Sequence, residues 1–84
     1  MIVHELKTDS IQFCRTWQDQ KPWEFRVNDR DFQVGDILIS KEHCGGAYNG
    51  RDILCEIVYM LEGTEHGIPE GCCIMTIDVL KKVG

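Results

Sequence analysis

The sequence predicts a mainly β domain (class α+β) carrying one N-terminal helix, with elements in the order β-α-β-β-β-β. Three observations lead there. Apolar residues alternate with polar ones at period two from Trp23 onward, the signature of half-buried strands. Helical spacing occurs once, in the short stretch after Asp9. Glycine-rich breaks around Gly45-Gly46 and between Gly63 and Gly71 then divide the remainder into short strands. Strands this short and this few commonly curl into a small barrel.

Taken in order, Ile2 to Lys7 reads as a first strand. Asp9 offers a helix N-cap, with Gln12 three residues on as in a capping box. Phe13, Cys14 and Trp17 follow at i, i+1, i+4, a short amphipathic helix ending near Asp19. Lys21-Pro22 breaks it, because proline disfavours a helical residue before it. In the next strand Trp23, Phe25 and Val27 share one face and Glu24 and Arg26 the other. Trp17 and Trp23 are both expected in the core. Asn28 to Asp31 is a polar turn, and Phe32 to Asp36 leads into a strand from Ile37 to Glu42. A hairpin loop over Cys44 to Gly50 returns the chain to its longest strand, Asp52 to Leu61. There Ile53, Cys55, Ile57, Tyr59 and Leu61 are expected on the core face, with Leu54, Val58 and Met60 opposite. A second loop, Glu62 to Gly71, precedes a last strand from Cys72 to Leu80.

Eighty-four residues make a single domain, 1–84, with the 43% apolar and 27% charged content of an ordinary globular protein. No apolar run approaches the ~20 residues that span a bilayer. The opening MIVHELKTDS lacks the basic-then-apolar form of a signal peptide, so a cytoplasmic location is expected. The five cysteines are odd in number and form no CxxC, which suits thiols packed in a reducing compartment better than a disulfide framework. His43-Cys44 is the one close pair of metal-ligand type, so neither a metal nor a cofactor is expected. The net charge of −5 argues against general duplex binding, which draws its affinity from a basic stripe. Six of the nine Lys and Arg residues fall in the first half, however, which permits a local cationic patch.

The candidate site is Lys21, Glu24 and Arg26. Glu24 and Arg26 leave the same strand face, with Lys21 just upstream on the loop. A carboxylate accepts from an exocyclic amine or ring N–H; a guanidinium forks onto phosphate or carbonyl, or stacks. Lysine adds a compact charge. Spacing alone equally permits a plain Glu24–Arg26 pair on a solvated face, worth less than about 1 kcal/mol. His4 reads as a partly buried polar residue, and Tyr48 and Arg51 as possible hairpin contacts for a long nucleic acid.

The stretch from Asp19 to Arg26 resembles the G-x-K-x-x-E-x-R signature of the ASCH domain, a branch of the PUA-like barrels. Lys21, Glu24 and Arg26 match, while Asp19 stands at the glycine position. His4 to Lys7, Asn28 to Asp36 and Tyr48-x-Gly50-Arg51 are similar to a small bacterial and phage subfamily of ASCH-like proteins, so the resemblance runs from His4 to about Asp78. It implies a small PUA-like β-barrel with a cleft between helix and barrel, lined by the signature residues; Lys7, at the end of the first strand, is the further candidate for its lining. It also implies binding of RNA, single-stranded nucleic acid or a nucleotide, with no membrane partner. Some small members of the family are amidohydrolases acting on an acylated nucleoside. Those carry a threonine where this chain has Glu24, so the expected hydroxyl is missing. A third reading is a protein-interaction or regulatory module using the exposed apolar face of the long strand.

Overall fold

The computed structural model describes residues 1–84 as one five-stranded sheet with a single helix laid against it. The elements are β1 (Val3–Asp9), α1 (Ser10–Trp17), β2 (Trp23–Val27), β3 (Ile37–Cys44), β4 (Ala47–Glu62), a 3-10 turn (Glu65–Gly67) and β5 (Cys72–Val83). The sheet runs β1-β3-β4-β5-β2, with β1 parallel to β3 and all other pairs antiparallel. The expected order, β-α-β-β-β-β, is the one found. No helix is long and apolar enough to cross a membrane.

Local chemistry sets the helix. The Asp9 carboxylate accepts from the Gln12 N–H at 3.1 Å, satisfying one of the donors a helix N-terminus leaves free. The helix stops at Trp17, and Asp19 then turns the chain at φ 60. Aspartate tolerates that left-handed region better than most residues. Lys21 and Pro22 follow as an extended lead into β2. The helix packs over β1 and β3 through Phe13, which is fully buried, and Thr16, with Trp17 half-buried against the core.

The core is Leu6, Phe13, Phe32, Leu38, Ile53, Cys55, Ile57, Cys73, Met75 and Ile77. Two sequence expectations about which face enters it fail. Trp23, Phe25 and Val27 lie on the outer surface, 42%, 45% and 63% exposed, while Glu24 on the opposite face is 3% exposed. Trp23 is therefore not a core residue. Period two divides a strand into two faces without saying which is inside, and here the inner face carries charge. In β4 the pairing passes from Ile57↔Ile77 directly to Tyr59↔Thr76, so Val58 is an inserted residue. The bulge reverses the alternation. Tyr59 is exposed and Met60, not Tyr59, packs on the core.

The hairpin is tighter than the seven-residue loop expected. Gly45 and Gly46, at φ 61 and φ 86, form a two-residue turn between Cys44 and Ala47. Positive φ at both central residues gives the turn twist that matches the flanking strands. The two β-strands accordingly extend further than the sequence suggested.

The sheet curls so that its two edge strands approach each other. The Arg26 guanidinium, carried on β2, donates through Nη1 to the Lys7 carbonyl of β1 at 3.2 Å and through Nη2 to the Thr8 hydroxyl at 3.0 Å. Arg30 donates to the Glu5 carbonyl of the same strand. Arginine side chains thus occupy edge carbonyls of β1 that no neighbouring strand satisfies. The result is a half-barrel sutured along its seam by guanidinium groups.

Candidate functional site

The seam between β1, β2 and the start of α1 holds a cleft of about 180 Å³. Its walls are Lys7, Thr8 and Asp9 from the end of β1, Gln12 from α1, Lys21 from the loop, and Glu24, Phe25 and Arg26 from β2. All four residues singled out in the sequence line it: Lys7, Lys21, Glu24 and Arg26. β2 supplies Glu24 and Arg26 because residues two apart leave one strand face. Lys21 reaches them from the extended residues before the strand.

Glu24 is the centre of the arrangement. Its Oε1 lies 3.5 Å from Lys21 Nζ, and its Oε2 accepts from Arg26 Nε at 3.0 Å. Glu24 and Lys21 are both buried, whereas Arg26 is partly open to solvent. The Lys21 amine also sits 4.9 Å from the centroid of the Trp23 ring. A buried ion pair is expensive to desolvate and is sustained only when its remaining donors and acceptors are satisfied. Here Arg26 spends its other nitrogens on Lys7 and Thr8, and no buried side-chain polar atom is left without a partner. The sequence alternative of a loose pair on a solvated face does not describe this geometry.

Chemically, the cleft offers three cationic side chains beside two carboxylates, Glu24 between its cations and Asp9 capping the helix. Lys7, on the exposed face of β1, is the one free of any ion pair. The only hydroxyl in the walls is that of Thr8, engaged by Arg26. A neighbouring hollow of about 240 Å³ shares Lys21 but sets it among Asp19, Asp78, Thr16, Pro22, Ile77 and Val79. Its acidic groups give an anion less to hold.

Two buried polar clusters escaped the sequence reading. On the far side of α1, Glu42 accepts from Ser10 Oγ at 2.7 Å and from Arg51 Nε and Nη2 at 2.6 and 2.9 Å. The Arg51 guanidinium lies over Phe13 and Trp17, at 5.2 and 4.8 Å, and donates to Cys14 Sγ at 3.4 Å. Arg51 therefore anchors the helix to the hairpin and is not a free hairpin contact for nucleic acid. Its hydrogen bonds hold the Glu42 carboxyl down to about 2, against burial. Little in the sequence signals it, because the register shifts at a bulge between Lys41 and His43 and Glu42 meets Arg51 just past the last regular pair, Lys41↔Asp52. Elsewhere, buried His4 places Nε2 2.9 Å from Asp36 Oδ2, and Asp36 also accepts from the backbone N–H of Ile2 and Gln33. The His4 contact foremost, with those N–H groups, keeps the Asp36 carboxyl below its ordinary value. These acids tie the loop before β3 to β1.

No group of three or more His, Cys, Asp or Glu side chains is placed to hold a metal. All five cysteines are free, with Cys55 and Cys73 in the core, Cys14 and Cys72 half-buried and Cys44 exposed.

Residues 3–77 match the family model described as "Domain of unknown function (DUF3850)", and the chain belongs to that family. It is also 34% identical over 55 residues to the "Uncharacterized 12.9 kDa protein in GpA 3'region" of Escherichia phage P2. That alignment takes in 66% of this chain and 50% of the phage protein, so the chain spans about half the length of the curated relative it matches.

Proposed function

We propose that this DUF3850 member is a binding module whose seam cleft takes a nucleotide or a short stretch of single-stranded RNA. One observation carries the reading: a buried Lys21–Glu24–Arg26 network forms the base of an open cleft beside the unpaired cation of Lys7. Apolar residues would close the same seam at lower desolvation cost. A fixed carboxylate with cations on both sides suits a nucleobase amine together with a phosphate. The resemblance to ASCH domains and PUA-like barrels supports the same ligand class. So does the left-handed φ of 60 at Asp19, the position at which the signature has glycine. Hydrolysis of an acylated nucleoside is the weaker reading, because the one hydroxyl in the cleft accepts from Arg26 and donates to neither carboxylate of the walls.

The test is equilibrium binding of nucleoside monophosphates and short single-stranded RNA, with Lys7→Ala and Glu24→Gln as probes. Both substitutions preserve backbone shape, and Lys7→Ala removes no internal ion pair. Each is expected to weaken binding about tenfold, in line with loss of one charge-assisted contact. With so few cations the logarithmic salt slope on RNA should be no steeper than about −2. Unchanged affinity in both variants would remove the cleft from the account.

A further inference from the structure

The alternation that sends Glu24 and Arg26 into the seam sends Trp23, Phe25 and Val27 to the opposite, outer surface of β2. The register continues that surface across two more strands. Trp23 pairs with Thr76, which pairs with Tyr59; Phe25 pairs with Ile74, which pairs with Leu61. Strand spacing makes this face roughly 10 Å across and about 13 Å along the strands. Its aromatic members are not marginally exposed: Trp23 is 42%, Phe25 45% and Tyr59 58% open. Single exposed apolar residues are ordinary, but three large aromatics on one face of neighbouring strands offer a partner rigid apolar anchors.

Charge decides what covers it. At one end the outer-facing pair is Glu56↔Asp78, two acids directly opposite each other. At the other, Glu62 accepts from Asn28, the residue after Val27, and Glu65 accepts from the Glu62 N–H. The one cation touching the face, Lys21 against Trp23, is already paired with Glu24. A second copy of a chain of net charge −5 would set these same acids against each other. Phosphates of a nucleic acid would meet them too.

We propose that this outer face docks a segment of a different protein, apolar at its centre and carrying Lys or Arg at its ends. The face lies on the other side of β2 from Glu24 and Arg26, and Phe25, which also borders the seam cleft, is the residue common to the two surfaces.

The experiment is selection of a displayed random peptide library on the whole protein, with counter-selection on Tyr59→Ser, a position outside the seam cleft. Synthetic versions of the enriched peptides are then titrated against wild type, Tyr59→Ser and Asp78→Lys. Expected are apolar peptides with basic flanks, whose affinity falls tenfold or more in each variant and declines with added salt. Both positions are exposed, so the variants should keep the wild-type amide spectrum; if Tyr59→Ser does not, Trp23→Ser takes its place. The proposal is overturned if no enrichment depends on the face, or if the enriched peptides carry acidic flanks. It is equally overturned if the wild type self-associates in sedimentation through Tyr59, or if single-stranded RNA shifts the outer-face residues in place of peptide.

Discussion

Glu24 holds two cations at once, and its replacement is the sharpest single-residue test of the network. Glu24→Ala leaves Lys21 and Arg26 facing each other across a buried void, so a loss of about 3 kcal/mol is expected. Glu24→Gln keeps the shape and some of the hydrogen bonds and should cost clearly less; equal losses in chemical denaturation would contradict this. Glu42 and Asp36 set the acid limit of the fold. Both carboxyls are held below their ordinary values, Glu42 at about 2. Below the unfolded carboxylate value, near 4.3, the unfolded chain binds more protons than the folded one, so stability falls as pH drops. The contribution is complete above that value and disappears as pH approaches about 2. Urea midpoints between pH 7 and pH 2 should trace this loss, and Glu42→Gln should flatten it; an unchanged acid limb in the variant would refute the assignment. Burial pushes the Cys55 thiol up to about 12, so thiol reagents at neutral pH should label Cys44 at once and Cys55 only through unfolding.

At the scale of elements, β2 and β4 show how far the sequence could be read. The strand order, the Asp9 cap and the helix were legible because each rests on local chemistry: a side-chain acceptor, a proline break, glycine at turns. The inner face of β2 was not legible, since apolarity pointed to Trp23, Phe25 and Val27 while the fold buries Glu24 beside Lys21 and Arg26. That inversion is also why the candidate residues were found but their burial was not. The bulge at Val58 had no signal of its own, because an apolar run hides an inserted residue. Deleting Val58 would let Ile57, Tyr59 and Met60 pair consecutively with Ile77, Thr76 and Met75, so the shortened chain is expected to fold with Tyr59 still outside and Met60 still on the core; loss of the cooperative unfolding transition would contradict this. The Gly45-Gly46 turn supplies a milder test. Gly46→Ala places a Cβ at φ 86, so a loss of about 1–2 kcal/mol is expected although no neighbouring atom lies within 4 Å. An unchanged thermal midpoint would show that the turn relaxes.

For the molecule as a whole, the seam matters most. A five-stranded sheet too short to close by backbone pairing is closed instead by Arg26 and Arg30 reaching the carbonyls of β1. The same guanidinium that sutures the half-barrel forms one wall of the cleft, so a ligand there would act on closure through Arg26. A ligand that competes for Arg26 would loosen the edge strands, whereas one that bridges Lys7 and Glu24 would tighten them. The central claim, that the seam cleft is the binding site, is tested most directly by amide chemical shifts of the wild-type protein during titration with nucleoside monophosphates and short single-stranded RNA. The largest shifts are expected at Lys7 to Gln12 and at Lys21 to Arg26, with slower amide exchange in β1 and β2 once the cleft is filled. Shifts confined to other surfaces, or none at saturating ligand, would contradict it.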